Sequence, residues 1–180
     1  MLRAGRTGRV ALSRAQLQEE ADRLKGVGLP EVMLRGCRAP SMSLGMLAHA
    51  RLVIYLFPGA DAYLLEDLQN PQLDRLQHCG FRKHRDDFAA HGYRVVGIST
   101  QHVAELALII LKDGLPHELL SDELLKLAKT LGVPTFEVDD GARRYYRMTL
   151  VVLGGVIQHA FVPNTPERNA AQVCGWLRSQ

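Results

Sequence analysis

Two short runs rich in β-branched and aromatic residues constrain this chain most: Arg51–Phe57 (RLVIYLF) and Tyr93–Ser99 (YRVVGIS). Pro58-Gly59 stops the first run. The residues between the runs hold a long loop and one amphipathic stretch. A strand that leaves through a helix and returns as a strand is a crossover unit, and its two strands lie parallel in one sheet. In such a unit a ligand site forms beyond the carboxyl end of the first strand, where the helix begins. Chemistry is therefore expected in the loop after Phe57 and in the first turns of the helix. The spacing predicts that helix over residues 73–90. Leu73, Leu76, Gly80, Phe81, His84 and Phe88 fall near one face, Arg75, Lys83, Arg85 and Asp86 fall toward the other, and His91-Gly92 closes it.

The rest of the chain follows the same logic. Ser13 and Gln16 form a capping-box pattern ahead of a helix over 14–25, which Gly26 and Gly28 end. Leu29-Pro30 opens an extended segment with Val32 and Leu34 alternating, residues 35–43 read as turns, and Leu44 and Leu47 make a short apolar patch. After the second strand, Ser99-Thr100 precedes a helix from Gln101 to Gly114. His117–Leu120 is a further extended run, and Ser121-Asp122 caps a helix through Thr130. Tyr146–Leu153 and Val156–Val162 read as two strands joined at Gly154-Gly155, which is hairpin chemistry. Thr165-Pro166 starts a last helix that Val173, Trp176 and Leu177 turn onto the sheet. The expected fold class is α/β, a mixed sheet flanked by helices on both faces in a thioredoxin-like layout. Residues 1–25 form an N-terminal extension with one helix, and residues 26–180 a single domain.

Composition narrows the function. A net charge of +3 with scattered Lys and Arg carries no basic stripe for nucleic acid, and no apolar run reaches the length of a membrane span. The three cysteines, Cys37, Cys79 and Cys174, have no metal spacing, and their odd number fits a reduced compartment such as the cytoplasm. Asp61, Glu66 and Asp67 lack a His or Cys at ligand spacing and read as a solvated loop, so neither metal nor cofactor is expected. Arg3, Arg6, Arg9 and Arg14, without an acid among them, read either as a basic tail or as a targeting segment.

Several pieces in this order resemble the peroxiredoxin family, on its AhpC/TSA and bacterioferritin-comigratory branch. They are Leu29-Pro30, RLVIYLFPG, CGFRKHRDDFAAHGYRVVGISTQ, HELLSDELLKLAKTLGVPTFEV and YYRMTLVVLGGVIQHAFVPNTPERNAAQVCGWLR. The resemblance implies a thioredoxin-like domain that reduces peroxides with a cysteine thiolate in the first turn of the helix after the main strand. It also implies an arginine that stabilises the anion, matched by Arg147, and a thiol reductant, either a thioredoxin-like protein or a low-molecular-weight thiol. A homodimer is a common assembly of such relatives.

The sequence departs from that pattern at the attacking position. In this branch a phenylalanine commonly stands seven residues after the attacking cysteine, and counting back from Phe81 reaches Asp74. Cys79 then takes the resolving position, and Pro71 has Arg75 where the family has a hydroxyl residue. Two readings stand. In one, Cys79 has become the peroxidatic thiol, with Arg82 three residues on to hold its anion. In the other, the domain is catalytically degenerate, a binding or regulatory module with the Asp74 carboxylate fixed where the thiolate stood. Cys174 is expected in the core or, in an atypical two-cysteine cycle, paired with Cys79. His78, Arg82 and His84 are a weak candidate cluster.

Overall fold

The computed structural model describes residues 11–59, 72–138 and 141–180. The acidic loop residues, the Asn70-Pro71 turn, Asp139-Asp140 and the arginines before Arg14 lie outside the described residues.

Helix α1 (Arg14–Leu24) begins with the predicted capping box. The Ser13 hydroxyl accepts from the Gln16 N–H, and the Gln16 side chain accepts from the Ser13 N–H. Strands β1 (Met33–Gly36) and β2 (Met42–Ser43) follow, then the short helix α2 (Leu44–Ala48) and strand β3 (Arg51–Leu56). The crossover comes as helices α3 (Leu73–Lys83) and α4 (Arg85–Ala90), returning through strand β4 (Tyr93–Ser99). The remainder is α5 (Val103–Asp113), β5 (Glu118–Ser121), α6 (Lys126–Leu131), β6 (Thr135–Glu137), β7 (Arg143–Tyr145), β8 (Met148–Leu153), β9 (Val156–Phe161), a 3₁₀ turn at Pro166–Arg168 and α7 (Asn169–Arg178).

Seven strands form one mixed sheet in the order β2-β1-β5-β4-β3-β8-β9, with β6 and β7 as a separate hairpin. As expected, β3 and β4 are parallel, and β8 and β9 form an antiparallel pair. Strand β3 lies in the interior of the sheet, between β4 and β8, and its alternation divides the core. Leu52, Ile54 and Leu56 pack with Ala21 and Leu24 of α1, with α2, and with Leu127 and Leu131 of α6. Val53, Tyr55 and Phe57 pack on the other face with Phe81, Phe88, Leu106, Ile110 and Val173 from α3, α4, α5 and α7. Helices thus cover both faces, and β3 is apolar on both, as an interior strand must be.

Several local expectations change. The predicted helix over 73–90 divides at His84, whose backbone leaves the helical region (φ −95°, ψ 15°). Leu44 and Leu47 belong to a one-turn helix capped by the Ser43 hydroxyl. Helix α5 is capped by His102 and Glu105 rather than by Ser99 or Thr100. Ser99 instead closes a tight turn by accepting from the Gln101 N–H. The Asp122 carboxylate receives the Lys126 and Leu127 N–H groups, so α6 starts later than its cap suggested. Thr165 makes no side-chain cap, and a 3₁₀ turn precedes α7. Trp176 is only half-buried and stacks on His159 at 5.3 Å.

Candidate active site

The antiparallel register pairs Met148 of β8 with Leu56 of β3, so Arg147 arrives beside the carboxyl end of β3. Helix α3 begins at the same end and carries Asp74 in its first turn. The two meet: Arg147 Nη1 donates to Asp74 Oδ1 in an ion pair whose side chains are 11% and 9% exposed. The same guanidinium nitrogen donates to Gln77 Oε1 at 3.1 Å. Gln77 in turn donates to Asn169 Oδ1 (3.1 Å), which also accepts from the Thr149 hydroxyl (2.7 Å). A buried polar chain therefore runs from the first turn of α3 across β8 to α7. Among the described residues, Asp74 Oδ2 has no hydrogen-bond partner. The macrodipole of α3 and the Arg147 guanidinium both favour an anion at this position.

Cys79 lies elsewhere. Asp74, Gln77, His78 and Phe81 are the buried face of α3, whereas Cys79 is half-exposed on the opposite side. There the Arg82 guanidinium sits with Nη2 3.8 Å from the sulfur, while its Nη1 donates to the Asp113 carbonyl. Arg75, on the same side, pairs with Asp113 at 3.2 Å. The structure thus joins Asp74 with Arg147, and Cys79 with Arg82, in two separate groups. Cys37 is partly buried and its thiol is pushed up to about 11, first by burial and then by Glu118. Cys174 is buried, its thiol also pushed up to about 11 by burial and by Asp87. All three cysteines are free, so the Cys79–Cys174 pairing is not formed.

A third group was not read from the sequence. The Tyr55 hydroxyl lies 2.9 Å from His78 Nδ1 and 2.8 Å from His117 Nε2. The Tyr55 ring stacks on Phe81 at 4.3 Å. Burial lowers His78 to about 3 and His117 to about 4, so both imidazoles are neutral at pH 7. One phenol proton cannot serve both rings, so Tyr55 donates to one imidazole and accepts from the other. Burial holds the Tyr55 hydroxyl well above its ordinary value, with Asp74 and Asp113 adding to the effect. The ring lies so close to β4 that only a glycine fits beneath it: a Cβ on Gly97 would stand 2.6 Å from Tyr55 Cζ. The proposed cluster of His78, Arg82 and His84 does not exist. His78 turns inward to Tyr55, Arg82 outward to Asp113, and His84 toward Asp87. Tyr55 reads in the sequence as one more strand aromatic, and His117 is 62 positions away.

The architecture defines the class first. It is similar to that of Mycobacterium tuberculosis peroxidoxin BcpB (TM-score 0.73, 20% identity, covering 86% of this chain and 96% of that one). It is also similar to Xanthomonas campestris peroxiredoxin Q (TM-score 0.68, 18% identity, 83% and 90% coverage). This is a thioredoxin-like fold. The AhpC/TSA family profile matches residues 74–160. The chloroplastic peroxiredoxin Q of Oryza sativa subsp. japonica is 30% identical over 158 residues, spanning 86% of this chain and 67% of that protein. The Arabidopsis thaliana peroxiredoxin Q is 33% identical over 110 residues, with less than half of its length covered (47%). The chain belongs to the peroxiredoxin family, a family of thiol peroxidases, on the branch of the bacterioferritin-comigratory proteins.

Proposed function

We propose that this chain is a thiol-dependent redox protein of peroxiredoxin type whose reacting sulfur is Cys79, with a peroxide as oxidant and a small or thioredoxin-like thiol as reductant. The observation that carries this reading is a partly exposed cysteine whose sulfur lies 3.8 Å from the Arg82 guanidinium. In the reaction the Cys79 thiolate attacks one peroxide oxygen and the O–O bond breaks. The sulfur becomes a sulfenate, and the departing alkoxide or hydroxide takes a proton. A reductant thiol then displaces the sulfenic oxygen as water, giving a mixed disulfide that a second thiol resolves. Arg82 is the donor placed to hold the anionic sulfur and then the sulfenate oxygen. Arg147 acts as an anion stabiliser for the Asp74 carboxylate, not for a sulfur.

A second reading is favoured by the Asp74–Arg147 pair itself. The position from which the family's thiolate attacks holds a carboxylate, which cannot be oxidised and re-reduced, so the domain would serve as a binding or regulatory module. An intact-mass spectrum before and after hydrogen peroxide, with sulfenate trapping and a thiol-coupled turnover assay, separates the two. The first reading expects one added oxygen at Cys79 and turnover that Cys79→Ser abolishes and Cys37→Ser leaves in place. Wild type that consumes no more peroxide than Cys79→Ser removes the peroxidase and leaves the module.

A further inference from the structure

The break between α3 and α4 has a consequence on the side of the molecule facing α7. His84 sits at the break, Asp87 lies in the first turn of α4, and Cys174 lies in the middle of α7. One imidazole nitrogen, one carboxylate oxygen and one sulfur from these three residues all lie within 4.8 Å of one another. His84 Nδ1 and Asp87 Oδ2 are 2.7 Å apart and both side chains are partly exposed, at 24% and 45%. The Cys174 sulfur lies beneath them on a residue with no exposed surface. Two donors open to solvent therefore stand over a buried third, and tertiary packing alone brings the cysteine to the other two.

We infer that His84, Asp87 and Cys174 form a binding site for a zinc-like divalent cation. The donor set selects the ion class. Magnesium and calcium take oxygen ligands and do not accept a thiolate, whereas a thiolate with imidazole and carboxylate suits zinc. Three protein donors leave the fourth tetrahedral position to water, reached from the exposed side. With bonds of about 2.0–2.3 Å, tetrahedral zinc places its donor atoms about 3.3–3.7 Å apart. The His84–Asp87 pair must therefore open by about 0.6 Å, which a partly exposed Asp87 side chain can do by rotation. On binding, the ion displaces the Cys174 S–H proton to solvent, and the resulting thiolate and the carboxylate together supply two negative charges against the ion's two positive ones. Arg178, one turn along α7 from Cys174, is among the cations now acting on Asp87, and the ion would take over that role. The site stands apart from Cys79, so its test is independent of the peroxidase reading.

The experiment is a zinc titration of the reduced full-length chain against a chromophoric chelator, repeated with cobalt(II) to read thiolate-to-metal charge-transfer absorption. Wild type is expected to bind one equivalent and to show the charge-transfer band. Cys174→Ala should weaken zinc by about 100-fold and abolish the band, and Asp87→Asn should weaken it by about 10-fold. Cys79→Ser and Cys37→Ser should change neither. Asp87 is partly exposed, so Asp87→Asn keeps the test alive if Cys174→Ala fails to fold. Zinc binding that is equal in wild type, Asp87→Asn and Cys174→Ala overturns the site. So does a charge-transfer band that survives Cys174→Ala and is lost in Cys79→Ser.

Discussion

The Asp74–Arg147 pair offers the sharpest energetic test of the site. Both side chains are about nine-tenths buried, and the guanidinium is shared with Gln77. Removing one partner from a buried ion pair costs about 3–5 kcal/mol, because the charge left behind has lost both water and its counter-charge. Asp74→Leu keeps the volume and leaves Arg147 with the Gln77 carbonyl, which places it near the low end, about 3 kcal/mol. Arg147→Met leaves a carboxylate whose Oδ2 already has no partner among the described residues, which places it near about 4 kcal/mol. For a domain of this size those costs lower Tm by about 6–16 °C. The double variant replaces both charges by apolar groups of similar shape and should lie within about 1 kcal/mol of wild type. Equilibrium urea denaturation of the four proteins closes the cycle. Two single variants that each cost less than about 1 kcal/mol, or a double variant equal to their sum, would refute the buried pair as the anchor of this pocket.

Three further outcomes are expected. Gly97→Ala would place a methyl carbon 2.5 Å from Leu119 Cδ2 and 2.6 Å from Tyr55 Cζ, two side chains with no exposed surface. Overpacking and the displaced Tyr55 hydroxyl together should cost about 3 kcal/mol, measured by thermal or urea unfolding, and a neutral variant would contradict the packing described. Acid should destabilise the fold through His78 and His117. Their native values of about 3 and about 4 lie below the ordinary 6.5, so the unfolded chain binds protons first as pH falls. The stabilisation is whole above pH 6.5 and is lost progressively toward pH 4, at up to about 1.4 kcal/mol per pH unit for each imidazole. Urea midpoints measured from pH 7 to 4 read that slope, and it should flatten when both histidines are replaced by Gln. Finally, Asp74→Cys with Arg75→Thr puts a thiol beside Arg147 and should create or raise peroxidase activity. No gain would mean that the surrounding loop, not the missing sulfur, has diverged.

The sheet was legible because its signals are local. Arg51–Phe57 is apolar at every position after the first, which only a strand buried on both faces tolerates, and Gly154-Gly155 both take positive φ at the β8–β9 turn. Asp74 and Arg147 were candidates through the family resemblance, by the count back from Phe81 and by the arginine at the start of the penultimate strand. Less visible were the elements whose cause is packing. The division at His84 interrupts a continuous apolar periodicity, and strands β6 and β7, three residues each, are too short to carry an alternating pattern. The Tyr55 group escaped because a strand aromatic and two distant histidines carry no shared spacing.

By itself, then, the sequence determined the two-faced interior strand, the crossover that puts a helix start at its carboxyl end, and the acidic residue Asp74 in the first turn of that helix. These follow from periodicity, turn chemistry and residue identity, which act over a few positions. Tertiary structure alone decided the meetings of residues far apart in sequence: Arg147 on Asp74, Tyr55 between His78 and His117, and Cys174 under His84 and Asp87. Helix rotation about its own axis settles those meetings. A difference of one residue in α3, between His78 and Cys79, turns one side chain into the core and leaves the other facing solvent beside a guanidinium.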